Sequence, residues 1–197
     1  MTDIINPMNF FWKLGYRQVT PDIYFKSYPQ SYNITVNLAQ KTIDYGNKIQ
    51  LCNKAIASFS QINYVIAECI DRLLVKGYLP SDLFVGFAEG ADIAIKDEAG
   101  WKTAIRCRRW DNDEYDREVK SIITHYDRPA ITDNVKEHFR FLCIYASTLR
   151  SGLIDYGTTI FPLSNNCVMK DGGKIISSAT GLFEGSVKPY DILIPEK

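Results

Sequence analysis

Histidine is almost missing from this chain: His125 and His138 are the only two among 197 residues. The five cysteines (Cys52, Cys69, Cys107, Cys143 and Cys167) are odd in number, widely spaced and form no C-x-x-C pair. A zinc site of the usual Cys and His spacing is therefore not readable. The cysteines are expected as small buried hydrophobes in a reducing cytosol. No apolar run approaches the ~18 residues that a membrane helix needs, and the N-terminus has no basic stretch followed by an apolar one. The expectation is a cytoplasmic protein without a membrane span. Excess charge is lacking as well, since 23 Lys and Arg balance 23 Asp and Glu. That excludes a surface basic throughout and confines any nucleic-acid contact to a local patch. Also absent are a Walker-type glycine loop, a G-x-G-x-x-G after a strand, a G-x-S-x-G elbow and an H-E-x-x-H helix.

What is present begins with aromatics. Phe10, Phe11, Trp12 and Tyr16 precede the turn signal Thr20-Pro21-Asp22, and residues 1–20 read as an exposed arm that docks on a partner. Strand-like runs follow at Ile23 to Phe25, Tyr32 to Val36, Thr42 to Tyr45 and Lys48 to Leu51, the pattern of an antiparallel meander. From Ser58 the period changes. Ile62, Ile66, Cys69, Ile70, Leu73 and Leu74 recur every three or four residues, which predicts a helix capped by Ser58 or Ser60 and closed at Gly77. Asp92 to Lys96 and Lys102 to Arg108 form a predicted hairpin, Asp116 to Tyr126 a helix, and Phe139 to Tyr145 a strand buried on both faces. Leu149 to Tyr156 reads as a short helix, Thr158 to Phe161 as a strand, and the glycine-rich residues 170–186 as a loop. Three segments result: an arm and meander over residues 1–55, an α/β core with a mixed sheet over 56–165, and a C-terminal loop and strand extension packed on that core over 166–197.

Chemistry concentrates in the hairpin. Side chains alternate across a strand, so Arg106 and Arg108 share the face opposite Ile105 and Cys107. With the apolar sets turned to one core, Asp92 comes beside both arginines. The run Gly90-Ala91-Asp92-Ile93-Ala94-Ile95-Lys96, a turn, and Ala104-Ile105-Arg106-Cys107-Arg108-Arg109-Trp110 resembles the core of the PD-(D/E)XK nucleases, in particular their Mrr-like restriction endonuclease branch. The preceding helix, Tyr64 to Leu74 ahead of Gly77-Tyr78, is similar to the family's first helix, with Glu68 at the place of its acid. The resemblance spans about half of the chain, from Asn63 to Phe161. It implies a restriction-endonuclease-like mixed sheet flanked by helices, here with an N-terminal β meander.

Arg106 stands where that family has a metal-site Glu or Gln, and Arg108 where it has lysine. Phosphodiester cleavage with Mg²⁺ needs oxygen ligands, whereas a guanidinium accepts nothing and is always cationic. Two outcomes stay open. If the protein is active, Mg²⁺ is held by Asp92 and a relocated acid such as Glu68, helped by Glu89 or Glu98, with Arg108 in the lysine's role. If it is a pseudoenzyme, Arg106, Arg108 and Arg109 with Trp110 grip DNA or RNA phosphates without cutting. A reading from another class makes the nuclease fold a scaffold, with a protein partner or a second copy bound through the N-terminal arm. The plainest alternative is a structural ion pair on a solvated strand.

Overall fold

Ser60 opens the predicted helix by accepting the amide of Asn63 at 3.1 Å, and Gly77 ends it at φ +99°, a conformation that favours glycine. This helix, α2 (Gln61–Val75), is buried almost all round, which requires cover on more than one side. The computed structural model shows where the cover comes from. It describes residues 6–87, 90–98, 100–124, 139–150, 153–163, 170–171 and 174–175.

On one side lies a four-stranded antiparallel sheet, β1 (Arg17–Thr20), β2 (Ile23–Tyr28), β3 (Tyr32–Asn37) and β4 (Thr42–Asp44), in chain order. Alternation in β3 turns Tyr32, Ile34 and Val36 inward. On the other side stands a six-stranded sheet of β5 (Gln50–Leu51), β6 (Leu83–Val85), β7 (Ile93–Asp97), β8 (Gly100–Arg109), β9 (Phe141–Arg150) and β10 (Leu153–Pro162). Neighbours in it are antiparallel except β5 with β6 and β8 with β9. Parallel neighbours need a crossover. α2 supplies the first, and α3 (Glu114–Thr124) lies in the second. The two helices sit on opposite faces. Ile93, Ile95, Ile105, Cys107, Cys143 and Tyr145 cluster with α2, while the alternating Ala94, Ala104, Leu142, Ile144 and Ala146 cluster with Tyr115 and Ile122 of α3. The result is a mixed α/β fold, and no helix among the described residues is long and apolar enough to cross a membrane.

Several expectations need correction. The arm is not exposed: α1 (Pro7–Lys13) is capped by Asn6, and Phe10, Phe11 and Tyr16 are buried in the same cluster as α2. Phe11 meets Tyr16 and Tyr64 edge to face, and burying rings of this size stabilises the fold by roughly 2 kcal/mol each. Only Trp12 of the four stays exposed. Lys48 to Leu51 does not extend the meander; its last two residues leave it to pair with β6. Leu149 to Tyr156 is not a helix but the end of β9 and the start of β10, in continuous register from Leu153 opposite Arg150 to Pro162 opposite Phe141. Within the glycine-rich 170–186, residues Lys170–Asp171 (β11) and Lys174–Ile175 (β12) pair as short strands; the rest of that segment, Cys167 and residues 125–138 lie outside the described residues. Cys69, Cys107 and Cys143 are buried as expected, whereas Cys52 is exposed.

Candidate functional site

Asp92 sits just before β7, held by its backbone on both sides. Its N–H donates to Ile105 O at 2.8 Å and its C=O accepts from Gly86 N–H at 2.7 Å. This aims the side chain along β8, where Oδ2 accepts the amide of Cys107 at 2.7 Å and Arg108 Nη1 at 3.3 Å. Burial pushes the Asp92 carboxyl above its ordinary range, opposed by the Cys107 amide and Arg108 and reinforced by the nearby charge of Glu118.

Arg106 does not meet Asp92 as the face argument predicts. Its Nε donates to Gly90 O at 2.8 Å and its Nη1 to Glu118 Oε1 at 3.1 Å. Gly90 lies at φ +82°, and a Cβ there would stand 3.3 Å from Arg106 Nη2, so the close approach favours glycine. Arg108 is the bridge. It reaches Asp92 with Nη1, both oxygens of Glu118 with Nη2 and Nε, and Cys107 O with Nη1 at 2.6 Å. Five fixed donors make this possible, which a lysine could not do.

Glu118 is the residue that sequence reasoning missed. A signal existed: α3 turns Tyr115 and Ile122 into the sheet, and Glu118 follows the first by three positions and precedes the second by four. An acid on that apolar stripe needs a buried cation to face.

Glu68 is not part of this site. It projects from α2 on the opposite face of the sheet, fully buried, where Arg72 Nε and the Tyr145 hydroxyl donate to it. The expected metal pair of Asp92 with Glu68 is thus separated by the sheet itself, because residues facing α2 alternate with those facing α3. Burial raises the Glu68 carboxyl, with Arg72 and Tyr145 pulling it back. Glu98 lies exposed at the turn between β7 and β8, the far end of the hairpin from Asp92, and Glu89 lies outside the described residues. Arg109 closes β8 opposite Ser147. Trp110 follows, against Gly157 of β10, where an added Cβ would come within 2.8 Å of the indole.

As it stands the site does not fit Mg²⁺. Both Glu118 oxygens and Asp92 Oδ2 already accept from guanidinium groups, while the ion needs several oxygens of its own at short range. A divalent ion about 4 Å from either guanidinium meets a repulsion of about 8 kcal/mol at an effective dielectric near 20. Among the described residues no group of three or more His, Cys, Asp and Glu side chains is placed to hold a metal. What the arrangement does is cancel two acids against two bases. Compared with models of known protein families and with curated proteins, the sequence matches none.

Proposed function

We propose that this protein is a non-cleaving relative of the PD-(D/E)XK nucleases that binds nucleic acid without hydrolysing it. The observation that carries the reading is the salt-bridged set of Asp92, Arg108, Glu118 and Arg106, occupying the positions where the resembled family keeps its cation and lysine. The mixed sheet with a helix on each face is compatible with the fold that the resemblance implies and supports the reading to that extent. Arg106 and Arg108 are held by carboxylates, and Arg109 with Trp110 follows them at the end of β8, so this basic and aromatic run is where phosphate contact would fall. Fluorescence anisotropy with DNA and RNA at two salt concentrations tests binding, alongside plasmid cleavage with Mg²⁺ or Mn²⁺. Salt-dependent binding without cleavage is the expected pair of results. Cleavage that disappears in Asp92→Ala overturns the non-cleaving reading.

A second reading, a scaffold for protein assembly, draws on one specific surface. Met8 and Trp12 of α1 line a groove of ≈ 630 Å³ with Gln18 of β1, and β1 is an edge strand carrying the exposed Val19. Deleting residues 1–20 cannot test it, because Phe10 and Phe11 hold the core together. Trp12→Ser with Val19→Lys can: this reading expects a salt-insensitive oligomer in sedimentation that the double variant dissolves.

A further inference from the structure

The α3 face of the six-stranded sheet ends, beside Trp110, in an open cleft of ≈ 400 Å³. Strand register names its walls. Thr148 of β9 and Asp155 of β10 stand directly opposite each other, as do Ala146 and Gly157, and Ala146 clusters with α3. Residues two apart on a strand share a face, so Thr148 and Asp155 lie side by side on the α3 side as a cross-strand pair. Trp110 completes the set, with its indole packed against Gly157. Tyr156 also borders the cleft but alternates to the α2 side, where the Arg72 guanidinium already lies 3.6 Å from the centre of its ring; no role falls to it here.

The aromatic wall is held in place. A Cβ on residue 157 would come within 2.8 Å of the indole, so glycine lets the ring lie on the strand. Tyr115 stands beside it with ring centroids 6.0 Å apart, and Tyr115 is itself fixed by a 2.7 Å hydrogen bond with Thr159 of β10. A wall set in advance loses little entropy when a ligand stacks on it. The acid next to it is of a different kind from those inside the fold. Glu68, Asp71, Asp92 and Glu118 each meet a cation. Asp155 is exposed, and among the described residues no hydrogen bond or ion pair claims its carboxylate.

We propose that this cleft binds a guanidinium group, its plane stacked on Trp110 and its N–H groups donating to Asp155. An indole face and a carboxylate attract the same kind of ligand, a flat cation rich in donors: the ring through its quadrupole, the acid through parallel charge-assisted hydrogen bonds. The Thr148 hydroxyl adds an acceptor. A phosphate is repelled by Asp155, so nucleic acid is not the ligand of this cleft, and the site stands apart from the nucleic-acid reading above. The guanidinium belongs either to an arginine side chain of a partner protein or to a free guanidine; the recognising chemistry is the same for both.

The test is a nuclear magnetic resonance titration of the isotope-labelled full chain, following the indole N–H of Trp110, assigned by its loss in Trp110→Phe, and the backbone amides of Thr148 and Asp155. Acetylarginine amide is expected to shift all three with a Kd of about 1 mM, as suits a single stacked ion pair. Acetylcitrulline amide, its neutral isostere, is expected to bind at least about tenfold more weakly. Asp155→Asn is expected to weaken binding of the arginine derivative about tenfold; its side chain is exposed, so an unchanged melting temperature certifies the fold of the variant. Ethylguanidinium and a short arginine peptide separate the two sources: equal affinities identify a free guanidine, and a tighter peptide identifies a partner's side chain. No binding by wild type, a citrulline derivative that binds as well, an Asp155→Asn variant that binds like wild type, or a lysine derivative that binds more tightly than arginine overturns the inference. None of these results bears on whether the protein binds DNA or RNA.

Discussion

Replacing Glu118 by glutamine removes the one carboxylate that two guanidinium groups share, at nearly constant volume. Arg106 loses its partner at 3.1 Å, and Arg108 keeps only Asp92 at 3.3 Å and the carbonyl of Cys107. The side chains of Arg106, Glu118 and Arg108 are 11%, 16% and 28% exposed, between the deeply buried and the surface case. Removing one partner of a fully buried pair costs about 3–5 kcal/mol, and of an exposed pair about 1 kcal/mol or less. The intermediate burial places Glu118→Gln at about 2–3 kcal/mol, which in a chain of this length lowers the melting temperature by about 4–12 °C. Urea denaturation with a constant m-value reads the loss directly, and it should persist at ~1 M salt, where exposed pairs are screened. A companion variant, Asp92→Asn with Arg106→Met, Arg108→Met and Glu118→Leu, should recover most of the loss, because replacing all four charges leaves none of them buried and unpaired. A loss below ~0.5 kcal/mol in Glu118→Gln would refute the view that these four charges form a closed internal set.

Further expectations follow from neighbouring contacts. Arg106→Gln with Arg108→Lys removes one cation and the fork that spans Asp92 and Glu118; Mn²⁺ binding, measured by calorimetry or electron paramagnetic resonance, should appear in this variant and be lost again on Asp92→Asn. Burial raises the carboxyls of Glu68, Asp71 and Asp92, so their contribution to stability is fully present below the unfolded carboxylate range near pH ~4 and is lost as pH rises through the folded values. The stability of wild type relative to Glu68→Gln should therefore decline as pH rises above about 4; a difference independent of pH would contradict the raised Glu68 carboxyl. Phe11→Ala should cost about 3–5 kcal/mol and Trp12→Ala less than about 0.5 kcal/mol, a contrast that urea melts resolve and that an exposed arm would not produce.

The α2 helix and the β7–β8 hairpin were legible because their signals are local. Apolar spacing, a serine cap and a closing glycine define the helix, and alternation around a turn defines the hairpin. The same alternation put Arg106 and Arg108 on one face. It could not say which acid each would find, since that depends on α3, whose Glu118 reaches the strand across a crossover. The segment from Leu149 to Tyr156 misled for a similar reason. Leu149, Leu153 and Tyr156 are spaced as on a helix, yet ten paired positions between β9 and β10 outweigh a short local preference. Phe10 and Phe11 illustrate the limit of composition: adjacent aromatics near a chain end look like an arm until a cavity beside α2 is there to receive them.

The buried charges explain why arginine, rather than lysine, occupies these positions. On the α2 side Asp71 is closed off by Lys26 and the Tyr28 hydroxyl, and Glu68 by Arg72 and Tyr145. On the α3 side two acids arrive from different elements, Asp92 before β7 and Glu118 on α3, and one side chain must satisfy both. A lysine ammonium is a point charge with three donors and would hold one carboxylate well, whereas the planar fork of Arg108 spans the two. Once that bridge is made, Arg106 can tie α3 to the Gly90 carbonyl, and the site becomes a fastener between helix and sheet. Charge that is cancelled inside the fold cannot attract a ligand from outside.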